Sequence, residues 1–151
     1  MTQVPRAAVL WGILGLLPFL YGVALVWTQP ETLPTFGLVE PGPRGGAQIL
    51  ERFGAAILAF MGGCLWGFSS AGRMPTALTL GGAAIPAFIA FVAIQPNPAL
   101  SCIWLAFGFV VLQGLDVLYS RAGIAPDYWL SLRLPLTAVV MGCLLIGALY
   151  G

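Results

Sequence analysis

Five apolar stretches, each about long enough to cross a lipid bilayer, occupy most of this chain of 151 residues. They run over about 7–27, 49–71, 75–94, 98–119 and 126–150. A helix needs roughly 20 apolar residues to span a ~30 Å hydrocarbon core. Inside lipid, only helices and closed barrels satisfy every backbone N–H and C=O. Barrel strands alternate apolar and polar residues, and these runs do not. The expected fold is all-α, a polytopic membrane helical bundle of five transmembrane helices forming one integral-membrane domain over 1–151. Composition agrees: 60% of the residues are hydrophobic and 7% charged, against roughly 25% charged in a soluble domain.

Prolines punctuate the runs. Pro75, Pro98 and Pro126 stand where helices are expected to begin, a position that needs no backbone N–H. Asn97 is placed to cap the helix that Pro98 opens. Pro18, Pro86 and Pro135 fall inside runs and predict kinks. The long connection 28–48 holds Pro30, Pro34, Pro41 and Pro43 with Gly42, Gly45 and Gly46, and reads as an irregular loop. The other connections are a few residues long, so neighbouring helices should run antiparallel. The first run is longer than the 7–15 apolar residues of a signal peptide, and no small-x-small cleavage pattern follows it. It is expected to be a retained helix. Arg6, Arg73, Arg121 and Arg133 fall on one side, Arg44 and Arg52 on the other. Cytoplasmic loops are richer in Lys and Arg, which predicts the N-terminus inside and the C-terminus outside.

Little in the sequence could carry chemistry. There is no histidine, and all six basic residues are arginine, which removes the commonest general base and metal ligand and any Schiff-base lysine. Cys64, Cys102 and Cys143 lie in three different runs, form no CxxC pair and read as small packing residues. Gly62-Gly63 and Gly81-Gly82 lack the strand that a phosphate-binding loop needs. The net charge of +1 gives no nucleic-acid footprint. The expectation is a protein that is not an enzyme, with no cofactor and no metal.

Four features stand out as candidate sites. Small residues recur at every fourth position along 51–71: Ala55, Ala59, Gly63, Gly67 and Ala71. Such a ridge lets a second helix backbone approach closely in lipid, and is expected to face protein, within the bundle or in another subunit. Glu51 and Arg52 open the same helix. They read either as an ion-coupling site or as a dipole-favoured carboxylate beside an arginine that snorkels to the headgroups. Asp116 and Arg133 are expected either to pair across the fourth and fifth helices or to meet headgroups separately. Trp66, deep in the second run, needs a partner for its indole N–H or an interface, and marks a candidate lipid or quinone crevice as an alternative to ordinary packing.

The pattern Glu51-Arg52-Phe53-Gly54, followed by Phe60-x-Gly62-Gly63-x-x-Trp66-Gly67 and later by Trp129-x-x-x-Arg133-Leu134-Pro135-Leu136-Thr137, resembles a family of short multi-pass proteins of unknown function that includes transmembrane protein 69. At Phe53 the family pattern has tyrosine. The resemblance implies a bacterial or mitochondrial inner-membrane protein and brings no catalytic residue with it.

Three functional readings follow. The first is an accessory subunit, assembly factor or scaffold of an inner-membrane complex, in contact with membrane lipids and other subunits. The second is a small transporter or proton-coupled carrier using Glu51 and Asp116. The third is a lipid- or quinone-binding protein. The arginine-only basic set and abundant Ala, Gly and Leu suggest a GC-rich genome, and with it a bacterial inner membrane.

Overall fold

The structure, a computed structural model, describes residues 4–29, 39, 44–72 and 75–151. Most of the expected loop 28–48 lies outside the described residues, as does Arg73. The helices are α1 (Arg6–Leu14), α2 (Leu17–Thr28), α3 (Gly45–Ala71), α4 (Ala77–Ala93), α5 (Pro98–Arg121) and α6 (Trp129–Tyr150).

Among the described residues, four spans are long and apolar enough to cross a membrane: Arg6–Thr28, Gly45–Ala71, Pro98–Arg121 and Trp129–Tyr150. The third expected span is shorter. α4 has 17 residues, about 25 Å of helix at 1.5 Å per residue. It begins at Ala77 rather than Pro75, because Thr76 and Thr79 form a reciprocal cap. Thr76 Oγ1 accepts from Thr79 N at 3.1 Å, and Thr79 Oγ1 accepts from Thr76 N at 3.1 Å. Such a cap satisfies two orphan donors at once, which an N-terminal proline alone cannot do.

The first span is interrupted at Gly15–Leu16, where one kinked helix was expected. Pro18 has no N–H, and its ring crowds the carbonyl four residues earlier, that of Leu14. The chain passes the block with a tighter turn, Leu16 N donating to Ile13 O at 3.0 Å, before Leu20 N returns to Leu16 O at 3.0 Å. Pro18 thus sits in the first turn of α2. α5 does begin on Pro98, with Asn97 Oδ1 accepting from Ala99 N at 3.1 Å. Pro126 does not start α6. Its carbonyl accepts from Trp129 N at 2.9 Å, and the preceding turn reverses through Gly123 at φ 68°, a conformation open to glycine.

α3 is the hub, in contact with α2, α4, α5 and α6. Its buried face carries Gly46, Leu50, Gly54, Leu58, Gly62, Leu65 and Ser69. A Cβ added at Gly46 would lie 2.7 Å from Gly22 O of α2, and one at Gly62 would lie 2.8 Å from Ala83 O of α4. These two glycines set the close approaches of α3.

This geometry divides the small-residue ridge between two environments. Gly63, Gly67 and Ala71 are exposed, and a Cβ added at Gly63 or Gly67 meets nothing within 4 Å. Ala55 and Ala59 are half-buried at the edge of the packed face. The first two residues of the ridge touch the core, and Gly63, Gly67 and Ala71 do not pack inside the bundle. Leu50, Leu58 and Leu65, all fully buried, fix the rotation of α3. Large side chains gain far more from packing than a row of small ones, so the glycines that lie between the leucines become the contact glycines.

Candidate functional site

α5 ends one turn beyond Asp116, and α6 begins one turn before Arg133. The tight turn between them folds the two helices back on each other. Trp129 and Arg133, four residues apart, share one face of α6, and that face meets Asp116. The Asp116 carboxylate is fully buried. It accepts from Trp129 Nε1 at 2.6 Å through Oδ1 and from Arg133 Nε at 3.2 Å through Oδ2. The Arg133 guanidinium lies 5.9 Å from the centre of the Trp129 ring. Phe68 of α3 stacks edge-on against the same indole, centroids 4.8 Å apart. The structure therefore brings Asp116 and Arg133 together and adds Trp129, which the sequence singled out only within the family pattern Trp129-x-x-x-Arg133. Its i, i+4 spacing to Arg133 was the available signal.

The arrangement neutralises two charges about one turn inside the helix ends, where either alone would be costly. It leaves one donor over. Arg133 Nη2 is buried without a hydrogen-bond partner among the described residues.

Glu51 belongs to the opposite end of the bundle. Because α3 starts at Gly45, Glu51 lies beyond the first turn, so it is not the expected carboxylate at a helix N-terminus. It is 5% exposed and accepts from Ser101 Oγ of α5 at 2.7 Å, while Ser101 Oγ accepts from Gln95 N at 2.8 Å. This ties α3 to the start of α5. Arg52 points outward. The two residues of this pair therefore face different environments.

Trp66 is 46% exposed, on the face of α3 away from the packed glycines. Among the described residues, Trp66 lines none of four well-formed cavities. An apolar crevice of about 320 Å³ lies instead between the α1–α2 break, α3 and α6, lined by Gly12, Gly15, Phe19, Met61, Arg133 and Leu136 among others. A second hollow, about 380 Å³, runs between α5 and α6 and is lined by Gln113, Gly114 and Thr137 with apolar neighbours. Gln113 Nε2 and Oε1 and Thr137 Oγ1 are buried and unpartnered among the described residues. Gln113 was not among the candidates read from the sequence, and Thr137 stood there only as the last residue of the family pattern.

Among the described residues, no three His, Cys, Asp or Glu side chains are grouped to hold a metal. No solved structure matches the chain. It is 26% identical to transmembrane protein 69 of Xenopus tropicalis over 99% of its own length, and spans 56% of that protein. Residues 4–149 match the family described as protein of unknown function (DUF3429), and the chain belongs to that family of membrane proteins.

Proposed function

We propose that the protein is a non-catalytic subunit or scaffold that binds another membrane protein through the α5–α6 face. The observation that carries this reading is the hollow at Gln113 and Thr137. Gln113 lies eight residues before the end of α5, about 12 Å along the helix and so well inside a ~30 Å core. An amide donor and acceptor and a hydroxyl at that depth find no partner among the described residues. Lipid tails offer none. The occupant that fits is a transmembrane helix presenting both a donor and an acceptor at mid-bilayer, which can hydrogen-bond as polar residues do between membrane helices. Gly114 beside the amide leaves room for close approach, since a Cβ there meets nothing within 4 Å.

A photoreactive side chain placed at Gly114 tests this in intact membranes. The expected result is a discrete adduct with one protein, reduced at least tenfold by Gln113→Leu. Lipid adducts alone, matching those from the outward-facing position Phe91, would end the proposal. The adduct's mass separates a second copy of this chain from a different partner.

The reading places the protein in a bacterial inner membrane with its N-terminus inside. Arg6 and Arg121 support that sidedness from the end of the bundle that holds Asp116 and Arg133, while Arg44 and Arg52 share the other end with Glu51. A C-terminal alkaline phosphatase fusion is expected to be active, because that enzyme matures outside the cytoplasm. An inactive phosphatase paired with a fluorescent C-terminal cytoplasmic reporter would reverse the orientation. The carrier alternative would use Glu51 and Asp116. Both carboxylates are engaged by side chains of neighbouring helices, as structural polar contacts are.

A further inference from the structure

We infer that the crevice between the α1–α2 break, α3 and α6 is a binding site for an amphiphile with an uncharged carbonyl head and an apolar tail. The break at Gly15–Leu16 opens this space. Its rim carries exposed side chains, Trp11 at 71% and Phe60 at 63%, while its depth holds buried ones, Phe19 at 1% and Arg133 at 6%. The slot therefore opens on the lipid-facing surface of the bundle and runs inward. Its α6 wall extends from Trp129 to Val140, about 16 Å of helix. A volume of about 320 Å³ falls at the lower end of the ~300–1,000 Å³ typical of small-molecule sites.

Arg133 supplies the polar end. Its Nε is bonded to Asp116, and its Nη2 is buried with no partner among the described residues. A buried donor left unsatisfied carries its full desolvation cost, so an acceptor arriving in the crevice and taking this N–H recovers that cost. The charge is already balanced. Asp116 neutralises Arg133, so an anionic head would bring a net negative charge into a site shielded from water, at a large desolvation cost. A carbonyl oxygen accepts the bond without that cost. Two membrane components offer this chemistry, an isoprenoid quinone and the ester carbonyl of a glycerolipid.

The test is a thermal-shift titration of the whole protein in mild detergent, in three arms: a decyl-substituted benzoquinone, a dioctanoyl glycerolipid with a zwitterionic head, and decanoate. A ligand that binds only the folded state raises the unfolding temperature saturably. The expected result is a saturable rise in the quinone arm or the glycerolipid arm, which names the source, with binding at least tenfold weaker for decanoate. Ala8→Phe and Leu132→Phe fill the crevice from opposite walls, and each should abolish the rise. Arg133→Lys keeps the charge opposite Asp116 but loses the guanidinium fork, and should weaken binding at least tenfold. Three results overturn the inference: no saturable rise in any arm, tightest binding of decanoate, or an unchanged rise in the crevice-filled variants that fold.

Discussion

Asp116→Ala is expected to destabilise the folded bundle by about 3–5 kcal/mol, the usual cost of removing one partner from a buried ion pair. Two terms contribute. Losing the hydrogen bonds is the smaller, because side-chain hydrogen bonds in membrane proteins average about 0.6 kcal/mol in double-mutant cycles. The larger is the charge left on Arg133, which is 6% exposed and has no other carboxylate within bonding distance among the described residues. Arg133 stands only four residues, about 6 Å, inside α6, so snorkelling to the headgroups is its one route of relief. The double variant Asp116→Leu with Arg133→Met removes both charges and keeps apolar volume, and should recover most of the loss. Reversible unfolding in mixed detergent micelles, read by circular dichroism, measures both. If Asp116→Ala unfolds within 0.5 kcal/mol of wild type, the carboxylate does not hold α5 to α6. If the double variant is as unstable as the single one, hydrogen bonding and shape at Asp116 matter more than charge.

The helical membrane architecture was legible because run length and low charge leave few alternatives. The positions of α5 and its cap were legible too, since Asn97-Pro98 is a local signal acting on its own backbone. Helix starts at Pro75 and Pro126 were not, because a proline permits a start without requiring one. The Thr76–Thr79 cap and the turn through Gly123 decided the boundaries instead. The Asp116–Arg133 pair could be anticipated from the cost of isolated charges in lipid. The role of Trp129 and the Arg133 Nη2 left over among the described residues could not, since they depend on which rotation α6 adopts against α5. Gln113 and Thr137 were silent for the same reason. Both are polar residues in apolar helices, and only the packed structure reveals that neither side chain finds a partner among the described residues.

The rotation of α3 decides which glycines make the contacts inside the bundle, and a pair of adjacent glycines tests it. Gly62→Ala is expected to destabilise by about 1–3 kcal/mol, the range for overpacking a filled interior. The added Cβ would sit 2.8 Å from the Ala83 carbonyl oxygen and 3.2 Å from Pro86 Cβ. The first of these is backbone, so α4 itself must move away. Pro86 limits how α4 can adjust, because its ring already removes one hydrogen bond from that helix. Gly63→Ala has the opposite sign. Its Cβ meets nothing within 4 Å, and replacing an exposed mid-helix glycine by alanine stabilises by roughly 0.5–1 kcal/mol through backbone entropy. The same unfolding assay reads both, and the two effects should differ by at least about 1.5 kcal/mol, the sum of the smaller ends of those ranges. A destabilising Gly63→Ala with a neutral Gly62→Ala would turn α3 by about 100° and restore the small-residue ridge as the internal contact. If instead Gly63→Ala leaves the isolated protein intact yet removes an adduct formed in native membranes, the exposed ridge meets another subunit.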